Sequence, residues 1–181
     1  MPALDTDVVQ TKQNADVVFT SDQITAAIDR MAAAIHQRLA DKNPIILAVM
    51  TGGMIPAGWL LPRLNFPLQI DYIHATRYQG ATTGGRLQWR VRPRLELRGR
   101  HILLVDDILD EGQTLAAIVE DCRNAGALDV LSAVPFNKLH NRKAMAADFV
   151  GLDVPDRYVF GFGMDYKEYW RNLPAVYAVK E

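Results

Sequence analysis

Short apolar runs alternate with stretches of helical periodicity along most of this chain. Five β-prone apolar runs predict buried strands, at residues 45–50, 68–75, 102–105, 127–134 and 158–161. A helix that begins near Ser21 or Asp22 is indicated by apolar residues three or four positions apart, at Ile24, Ile28, Met31, Ile35 and Leu39. Further helices are predicted over residues 55–64 and from Thr114 onward. This alternation predicts an α/β fold with a mostly parallel central sheet flanked by helices.

The strand predicted at residues 102–105 ends in two adjacent carboxylates, Asp106 and Asp107. Open α/β sheets bind their ligands at the carboxyl ends of such strands, so these acids are placed to contact a ligand. They would repel a phosphate, but carboxylates accept hydrogen bonds from the hydroxyls of a ribose diol and bind Mg²⁺. Asp106 and Asp107 are therefore predicted to bind a sugar and a metal ion.

A glycine turn follows the two acids, and it is suited to an anion. Gly112 permits a backbone conformation closed to other residues, and Thr114 is suited to cap the next helix. Free N–H groups at residues 111–115 would then point at one spot, where the helix dipole adds to their attraction. No Gly-Lys-Ser/Thr sequence follows the glycine, so a P-loop nucleoside triphosphatase is not expected. A phosphorylated sugar fits both halves of the motif.

Residues 106–114 resemble the diphosphate-sugar motif of the type I phosphoribosyltransferase family. That motif is an apolar strand, two acids, two apolar residues, Asp, a small or polar residue, Gly, any residue and Thr, and this chain fills it in order. The resemblance implies that the phosphoribosyl group contacts Asp106, Asp107, Glu111, Gly112, Gln113 and Thr114. It also implies that Asp110 is catalytic, because the matching Asp of purine enzymes contacts the purine N7. Without the motif, these residues would fit an ordinary polar turn between a strand and a helix.

An earlier strand also ends in a glycine loop, Met50-Thr51-Gly52-Gly53. Its glycines allow backbone amides to turn toward a diphosphate, and members of the same family hold a cis peptide at this place. Thr51 and Gly52 are therefore predicted to bind diphosphate through the main chain, although hypoxanthine-guanine enzymes often have Lys where Thr51 stands. A simple glycine turn is the alternative.

The run at residues 148–174 is similar to the hypoxanthine-guanine branch of the family, in which an acid-Phe-Val-Gly segment and a later Val-Pro-Asp lead to the base pocket. The resemblance implies that Tyr158 stacks on the purine and that the Val159 carbonyl accepts from a 2-amino group. It further implies that Asp165 holds Mg²⁺ through water and that Arg171 binds the departing diphosphate. Without the resemblance, such aromatics would simply be core.

One base contact and a lid complete the expected site. Lys138 aligns with the lysine that donates to the purine 6-oxo group, but the local spacing departs from that of the family, so Asn137 is a competitor. Residues 77–94 are rich in Gly and Thr with alternating Gln and Arg, which predicts a hairpin with a mobile tip that acts as a lid. An inert surface hairpin is the alternative. Tyr78 matches the family and is predicted to close over the diphosphate, whereas Arg77 does not match and has no assigned role.

Composition and charge limit the remaining classes of protein. With 181 residues, of which 49% are apolar, the chain suits a single α/β domain over residues 1–181. The resemblance implies that this is a phosphoribosyltransferase domain with a small hood from its N- and C-terminal segments. The net charge of -1 predicts no general attraction to nucleic acid or to anionic lipid. No apolar run approaches the roughly 20 residues of a membrane span, and no leader-like segment is seen, so a cytoplasmic location is expected. Cys122 is expected to be buried and inert. The histidines show no metal-ligand spacing: His36, His74, His101 and His140.

The resemblance implies a purine-salvage enzyme with the type I phosphoribosyltransferase fold. It would transfer ribose 5-phosphate from phosphoribosyl diphosphate to hypoxanthine or guanine, with Mg²⁺ as cofactor, and release IMP or GMP and diphosphate. Members of the family are homodimers or homotetramers, so the same is expected here. Two alternatives stay open: a regulator that binds phosphoribosyl diphosphate or a nucleotide without catalysis, and an enzyme that uses xanthine or a pyrimidine.

Overall fold

The computed structural model describes residues 5–77 and 87–180. Its helices are α1 (Thr6–Asn14), α2 (Ser21–Leu39), α3 (Met54–Leu60), which a 3-10 turn at Leu61–Arg63 extends, and α4 (Gln113–Asn124). Its strands are β1 (Asp16–Phe19), β2 (Ile45–Val49), β3 (Gln69–Arg77), β4 (Leu87–Val91), β5 (His101–Val105), β6 (Ile108–Leu109), β7 (Asp129–Lys138), β8 (Phe149–Val154), β9 (Val159–Phe160) and β10 (Val176–Ala178). Among the described residues, no helix combines the length and the apolar character that crossing a membrane requires.

A mostly parallel sheet forms the centre of the fold, as the sequence predicts. Its strands run in the order β4-β3-β2-β5-β7, and only the β3–β4 pair in this series is antiparallel. β7 pairs with β5 and then β6 along one edge and with β8 along the other. Parallel strands are buried on both faces, which explains why Ile45, Ile46 and Leu47 are all fully buried.

Helices cover both faces of this sheet. Ile46 of β2 packs into the core beneath α2 and α3, whereas its neighbours Ile45 and Leu47 pack into the core beneath α4. Cys122 of α4 lies in the second core and is 1% exposed. Burial raises the pKa of its thiol to about 11, so the thiol stays protonated, in agreement with the prediction of a buried and inert cysteine.

Two helices begin at residues other than the predicted ones. The N-cap of α2 is Thr20 rather than Ser21 or Asp22, because Thr20 and Gln23 cap each other. The Thr20 N–H donates to Gln23 Oε1 at 2.9 Å, and the Gln23 N–H donates to Thr20 Oγ1 at 3.4 Å. The N-cap of α4 is Gly112 rather than Thr114, because the chain turns at the glycine and Thr114 already lies in the first helical turn.

The strands after α4 differ most from the prediction. The run predicted at residues 127–134 extends as β7 to Lys138, because β6 and β8 supply pairing partners on both edges there. β8 is not among the predicted strands, because Gly151 and Asp153 interrupt its apolar residues. The run predicted at residues 158–161 forms β9, which joins a second sheet instead of the central one.

That second sheet brings the two ends of the chain together, and we call it the terminal sheet. It has three antiparallel strands in the order β1-β10-β9, with Asp16 opposite Ala178. Arg157, just before β9, donates to Asp16 at 2.7 Å. Trp170 Nε1 donates to the Val8 carbonyl of α1 at 2.9 Å, so the first helix is also tied to the C-terminal segment.

β3 and β4 form an antiparallel pair in the region of the predicted lid. Residues 78–86, with the predicted tip and Tyr78, lie outside the described residues, so the lid and the role of Tyr78 stay predictions. Arg77 is the last residue of β3.

Candidate active site

Asp106 and Asp107 lie in a gap between two strands. β5 and β6 both pair with β7 in parallel and in the same register, so β6 continues the path of β5 along β7. Asp106 and Asp107 form the break between these two strands. The Asp106 N–H donates to the Ala133 carbonyl of β7 at 3.1 Å, which holds the gap against the sheet. The acids therefore sit on a rigid support at the carboxyl end of β5, where the sequence places a ligand.

Burial makes this acid pair costly to ionise. The Asp107 side chain is 13% exposed, and the backbone N–H of Asp107 donates to Asp106 Oδ1 at 2.9 Å. Burial raises the pKa of Asp106 well above its usual range, and the neighbouring charge of Asp107 raises it further. Burial also raises the pKa of Asp107, although the Arg171 guanidinium opposes that rise. A bound cation would offset the penalty, because it stabilises both carboxylates.

Two glycines bring the early loop and a C-terminal loop against Asp107. A Cβ atom on Gly52 would lie 2.0 Å from Asp107 Oδ2, and one on Gly163 would lie 2.4 Å from the Gly52 carbonyl oxygen. Gly163 also has a φ of 103°, which residues with a side chain rarely adopt. The Met50–Thr51 peptide that precedes this contact is cis. The backbone of the Thr51–Gly52 loop therefore lies directly against the acid pair.

Arg171 ties the C-terminal loop to the acids. Its Nη1 donates to the Gly163 carbonyl at 2.8 Å and lies 3.8 Å from Asp107 Oδ2. Its Nη2 lies 2.6 Å from Asp165 Oδ1. Because the side chain is 23% exposed, part of the guanidinium still faces solvent, where an anion can reach it.

A cavity of about 330 Å³ opens beside the acids. Its lining includes every residue predicted to contact the base, namely Asp110, Lys138, Tyr158 and Val159. The other lining residues are Asp107, Ile108, Met164 and Asp165. Tyr158 is 54% exposed and stands edge-on to the Tyr166 ring, with the ring centroids 5.6 Å apart. The exposed ring of Tyr158 offers apolar area to a flat ligand.

Asp110 accepts hydrogen bonds on both carboxylate oxygens. Lys138 Nζ donates to its Oδ2 at 2.6 Å, and His140 Nε2 lies 2.7 Å from its Oδ1. Burial by itself would raise the pKa of Asp110, but these two bonds outweigh it and hold the pKa below its usual value. With 46% of its side chain exposed, Asp110 is an ionised carboxylate that a ligand in the cavity can reach.

Lys138 and its competitor Asn137 are neighbours in β7, so their side chains point to opposite sides of the strand. Successive residues of a strand face opposite sides, and Lys138 lines the cavity. The Asn137 side chain is engaged elsewhere, since its Nδ2 donates to Asp153 at 2.6 Å and its Oδ1 accepts from Lys143. Lys138 is therefore the one of the two that can donate to a ligand beside Asp110.

α4 begins at the predicted anion loop. Gly112 has a φ of 71°, and its carbonyl accepts the first helical hydrogen bond, from the Ala116 N–H at 2.9 Å. A Cβ atom on Gly112 would lie 2.8 Å from a methyl carbon of Leu109, which also favours glycine. The N–H groups of residues 113–115 precede that first bond, so no helical carbonyl can accept them and they can bind an anion.

Comparisons with known proteins show the family to which the chain belongs. The family described as phosphoribosyl transferase domain matches residues 16–168. The hypoxanthine-guanine phosphoribosyltransferase of Streptococcus pneumoniae is 30% identical over 167 residues, which cover 91% of this chain and 93% of that protein. The hypoxanthine-guanine-xanthine phosphoribosyltransferase of Tritrichomonas foetus is 31% identical over 167 residues, which cover 91% of each chain. The chain belongs to the phosphoribosyltransferase family.

Solved structures of phosphoribosyltransferases share its fold. A hypoxanthine-guanine-xanthine phosphoribosyltransferase aligns with a TM-score of 0.83 at 29% identity, over 92% of this chain and 97% of that one. A hypoxanthine phosphoribosyltransferase from Staphylococcus aureus aligns with a TM-score of 0.88 at 23% identity, over 97% of both chains. The predictions of the type I fold, of the hypoxanthine-guanine branch and of a phosphoribosyltransferase enzyme are confirmed.

The acids of this phosphoribosyltransferase fit Mg²⁺ as oxygen donors without forming a complete cage. Within residues 5–77 and 87–180, no three His, Cys, Asp or Glu side chains are grouped so that they could hold a metal ion. Asp106 and Asp107 are adjacent, while Arg171 occupies the space between Asp107 and Asp165. Mg²⁺ commonly takes one or two carboxylates and completes its shell with water and substrate oxygens. The acid pair therefore fits a Mg²⁺ ion that binds together with a substrate.

One residue of the phosphoribosyltransferase site escaped sequence reasoning, namely His140. Its side chain is 3% exposed and reaches Asp110, yet a lone histidine without ligand spacing carries no signal by itself. Its contact with Asp110 depends on the pairing of β6 with β7, which no local pattern of the sequence reveals.

Proposed function

We propose that this phosphoribosyltransferase transfers ribose 5-phosphate from phosphoribosyl diphosphate to hypoxanthine or guanine. The bond between C1′ and the diphosphate oxygen breaks, and a bond between C1′ and a purine nitrogen forms. The products are IMP or GMP, diphosphate and the proton that the purine nitrogen loses. The observation that carries the proposal is one cavity whose lining brings Asp110, Lys138 and Tyr158 together with Asp107.

Three residues of the cavity are proposed to recognise the base. Tyr158 stacks on the purine, since its ring is exposed toward the cavity. Lys138 carries three N–H donors, of which one serves Asp110 and another is free for the purine 6-oxo group. Adenine has an amino group at that position and cannot accept this bond, so 6-oxopurines are favoured. The Val159 carbonyl accepts from the 2-amino group of guanine.

The sugar and its 5-phosphate are proposed to bind over residues 106–114. The amides of residues 111–114 and the Thr114 hydroxyl hold the phosphate, with Glu111 and Gln113 at its rim, and the α4 dipole adds to the attraction. The ribose hydroxyls donate to Asp106 and Asp107. Asp106 and Asp107, with Asp165 through water, would hold Mg²⁺, which would supply positive charge for the leaving diphosphate.

The chemical step is proposed to depend on position and electrostatics. As diphosphate leaves, C1′ gains oxocarbenium character. The main chain of Thr51–Gly52 and the Arg171 guanidinium, which can donate two parallel hydrogen bonds, hold the departing diphosphate. Asp110 accepts the N–H of the purine N7, which stabilises the positive charge that develops on the base. The predicted lid with Tyr78 would exclude water that competes with the purine for C1′.

The test is nucleotide formation by the purified protein with Mg²⁺ and phosphoribosyl diphosphate. Hypoxanthine, guanine, xanthine, adenine and uracil are supplied one at a time, and products are separated by chromatography. IMP and GMP are expected, and Asp110→Asn should lose turnover far more than affinity for the sugar diphosphate. Binding of phosphoribosyl diphosphate without any nucleotide would instead identify a regulator, and exclusive use of xanthine or uracil would overturn the base assignment.

We also propose that the protein forms a homodimer or homotetramer through an apolar face of the sheet. Ile70 and Tyr72 point to the same side of β3 and are 55% and 46% exposed. On the neighbouring strand, Val91 pairs with His74 on that same side and is 36% exposed. Light scattering should show an oligomer that Ile70→Lys dissociates, whereas a wild-type monomer would contradict the proposal. The cytoplasmic location expected from the sequence stays a prediction.

A further inference from the structure

The loop between β7 and β8 braces the Asp110 loop of this site. The Ala144 N–H donates to the Glu111 carbonyl at 2.8 Å, and His140 reaches Asp110 at 2.7 Å. The motif loop is therefore held from outside at two successive residues. The first of these contacts involves only main-chain atoms, whereas the second depends on the identity of one side chain.

The hydrogen bonds of His140 fix its tautomer. The Arg142 N–H donates to Nδ1 at 3.2 Å, so Nδ1 carries a lone pair and no hydrogen. The hydrogen of the neutral ring then sits on Nε2, which donates it to Asp110 Oδ1 at 2.7 Å. Because the His140 side chain is 3% exposed, water does not compete for either nitrogen.

The two donors to Asp110 differ in rigidity. Lys138 ends a flexible four-carbon chain, and in the proposed function its ammonium also serves the purine 6-oxo group. His140 is a planar, buried ring held at both nitrogens. It can keep Oδ1 in place while Lys138 adjusts to the base. Each carboxylate oxygen has a second lone pair, so both bonds leave Asp110 able to accept a purine N–H.

We infer that His140 is a positioning residue, which fixes the Asp110 carboxylate for its bond to the purine nitrogen. The inference rests on the proposed function, since Asp110 has its catalytic role only there. The acid pair and the anion loop receive no bond from His140, so its loss should affect turnover and leave the binding of the sugar diphosphate intact.

The experiment compares two replacements of His140 in the nucleotide-forming assay. His140→Leu keeps much of the volume and removes the donor, and it should lower kcat about 10- to 100-fold, as losses of orienting groups around a site commonly do. The KM for phosphoribosyl diphosphate should stay near the wild-type value. His140→Gln keeps an N–H donor of similar reach and should recover most of kcat. A purely structural role predicts instead that both variants lose melting temperature and that kcat and KM change together.

A matched control is His36→Leu, on the exposed side of α2, which should retain wild-type kcat. ¹⁵N NMR of the imidazole ring provides a second readout, and it should show the neutral Nε2–H form in the wild-type protein. Wild-type turnover in His140→Leu, or an Nδ1–H ring in the wild-type protein, would overturn the assignment of His140 alone. A wild-type protein that makes no nucleotide would overturn the proposed function and the role of His140 with it.

Discussion

Replacing Gly52 by alanine is expected to push the early loop away from Asp107 and to remove most of the activity. The new Cβ atom would lie 2.0 Å from Asp107 Oδ2, whereas an ordinary contact begins at 3.4 Å. The loop and the carboxyl group must therefore separate by about 1.4 Å, the difference between those two distances. A misplacement of about 1 Å in a reacting geometry lowers rates by about 100-fold. We expect kcat/KM for phosphoribosyl diphosphate to fall by at least about that factor.

The carboxyl group of Asp107 has little freedom to yield. Its Oδ1 accepts from the Ile108 N–H at 2.8 Å, and its Oδ2 faces Arg171 at 3.8 Å. The strain should appear partly as lost stability, because overpacking a close contact costs about 1–3 kcal/mol. Thermal melting of the ligand-free protein measures that part separately from the kinetics.

Gly58→Ala is the matched control for this substitution. Gly58 lies in α3, and a Cβ atom there would have nothing within 4 Å. Alanine should stabilise the helix by about 0.5–1 kcal/mol and leave the kinetics unchanged. If the Gly52→Ala enzyme kept wild-type kcat/KM, the close approach of the loop would not position Asp107, and the reasoning would be wrong.

Three further predictions concern the base and the acid pair. Tyr158→Ala should raise the KM for hypoxanthine roughly 5- to 160-fold, since stacking on an aromatic ring contributes about 1–3 kcal/mol, and Tyr158→Phe should stay near wild type in the same assay. Lys138→Gln should weaken discrimination between hypoxanthine and adenine in a competition assay, because an amide can both donate and accept. Asp106→Asn should abolish turnover and yet raise the melting temperature of the ligand-free protein, because it removes a buried charge beside Asp107 and keeps the Oδ1 that accepts from the Asp107 N–H. The pKa of Asp106 is raised in the folded state, so stability should fall as the pH rises from about 4 through that raised pKa. This fall should be smaller in Asp106→Asn, and identical pH profiles of the melting temperature would contradict the assignment.

The central sheet and the sugar loop could be predicted because local patterns specify them. Buried parallel strands leave apolar runs that stand out, as in Ile45–Val49 and His101–Val105. The acids and Gly112 follow one such run directly, so their place at the strand end needs no knowledge of distant contacts. Helix starts were off by one or two residues because caps depend on side-chain geometry that several polar residues can satisfy.

The terminal sheet and His140 could not be predicted, because distant pairing decides both. β1 is short, and its polarity pattern does not distinguish it from a loop. The apolar run at residues 158–161 predicted a strand where β9 lies, but its place in the terminal sheet depends on β10, which pairs with both β1 and β9. The contact between His140 and Asp110 likewise joins residues that are distant in sequence and lie next to the pairing of β6 with β7. A resemblance to relatives proposed roles for Tyr158 and Arg171, whereas local pattern alone would have assigned the aromatic Tyr158 to the core.

The contact between Arg171 and Asp107 joins distant parts of the chain and so sets the order in which the site can be completed during synthesis. The sugar loop comes from the middle of the chain, whereas Tyr158 and Arg171 come from its last part. Chains begin to fold from the N-terminal side while they leave the ribosome. A nascent chain can therefore form the sugar loop before the segment that carries Tyr158 and Arg171 has been translated. Both substrates of the proposed reaction can be held together only after that later segment lies against Asp107.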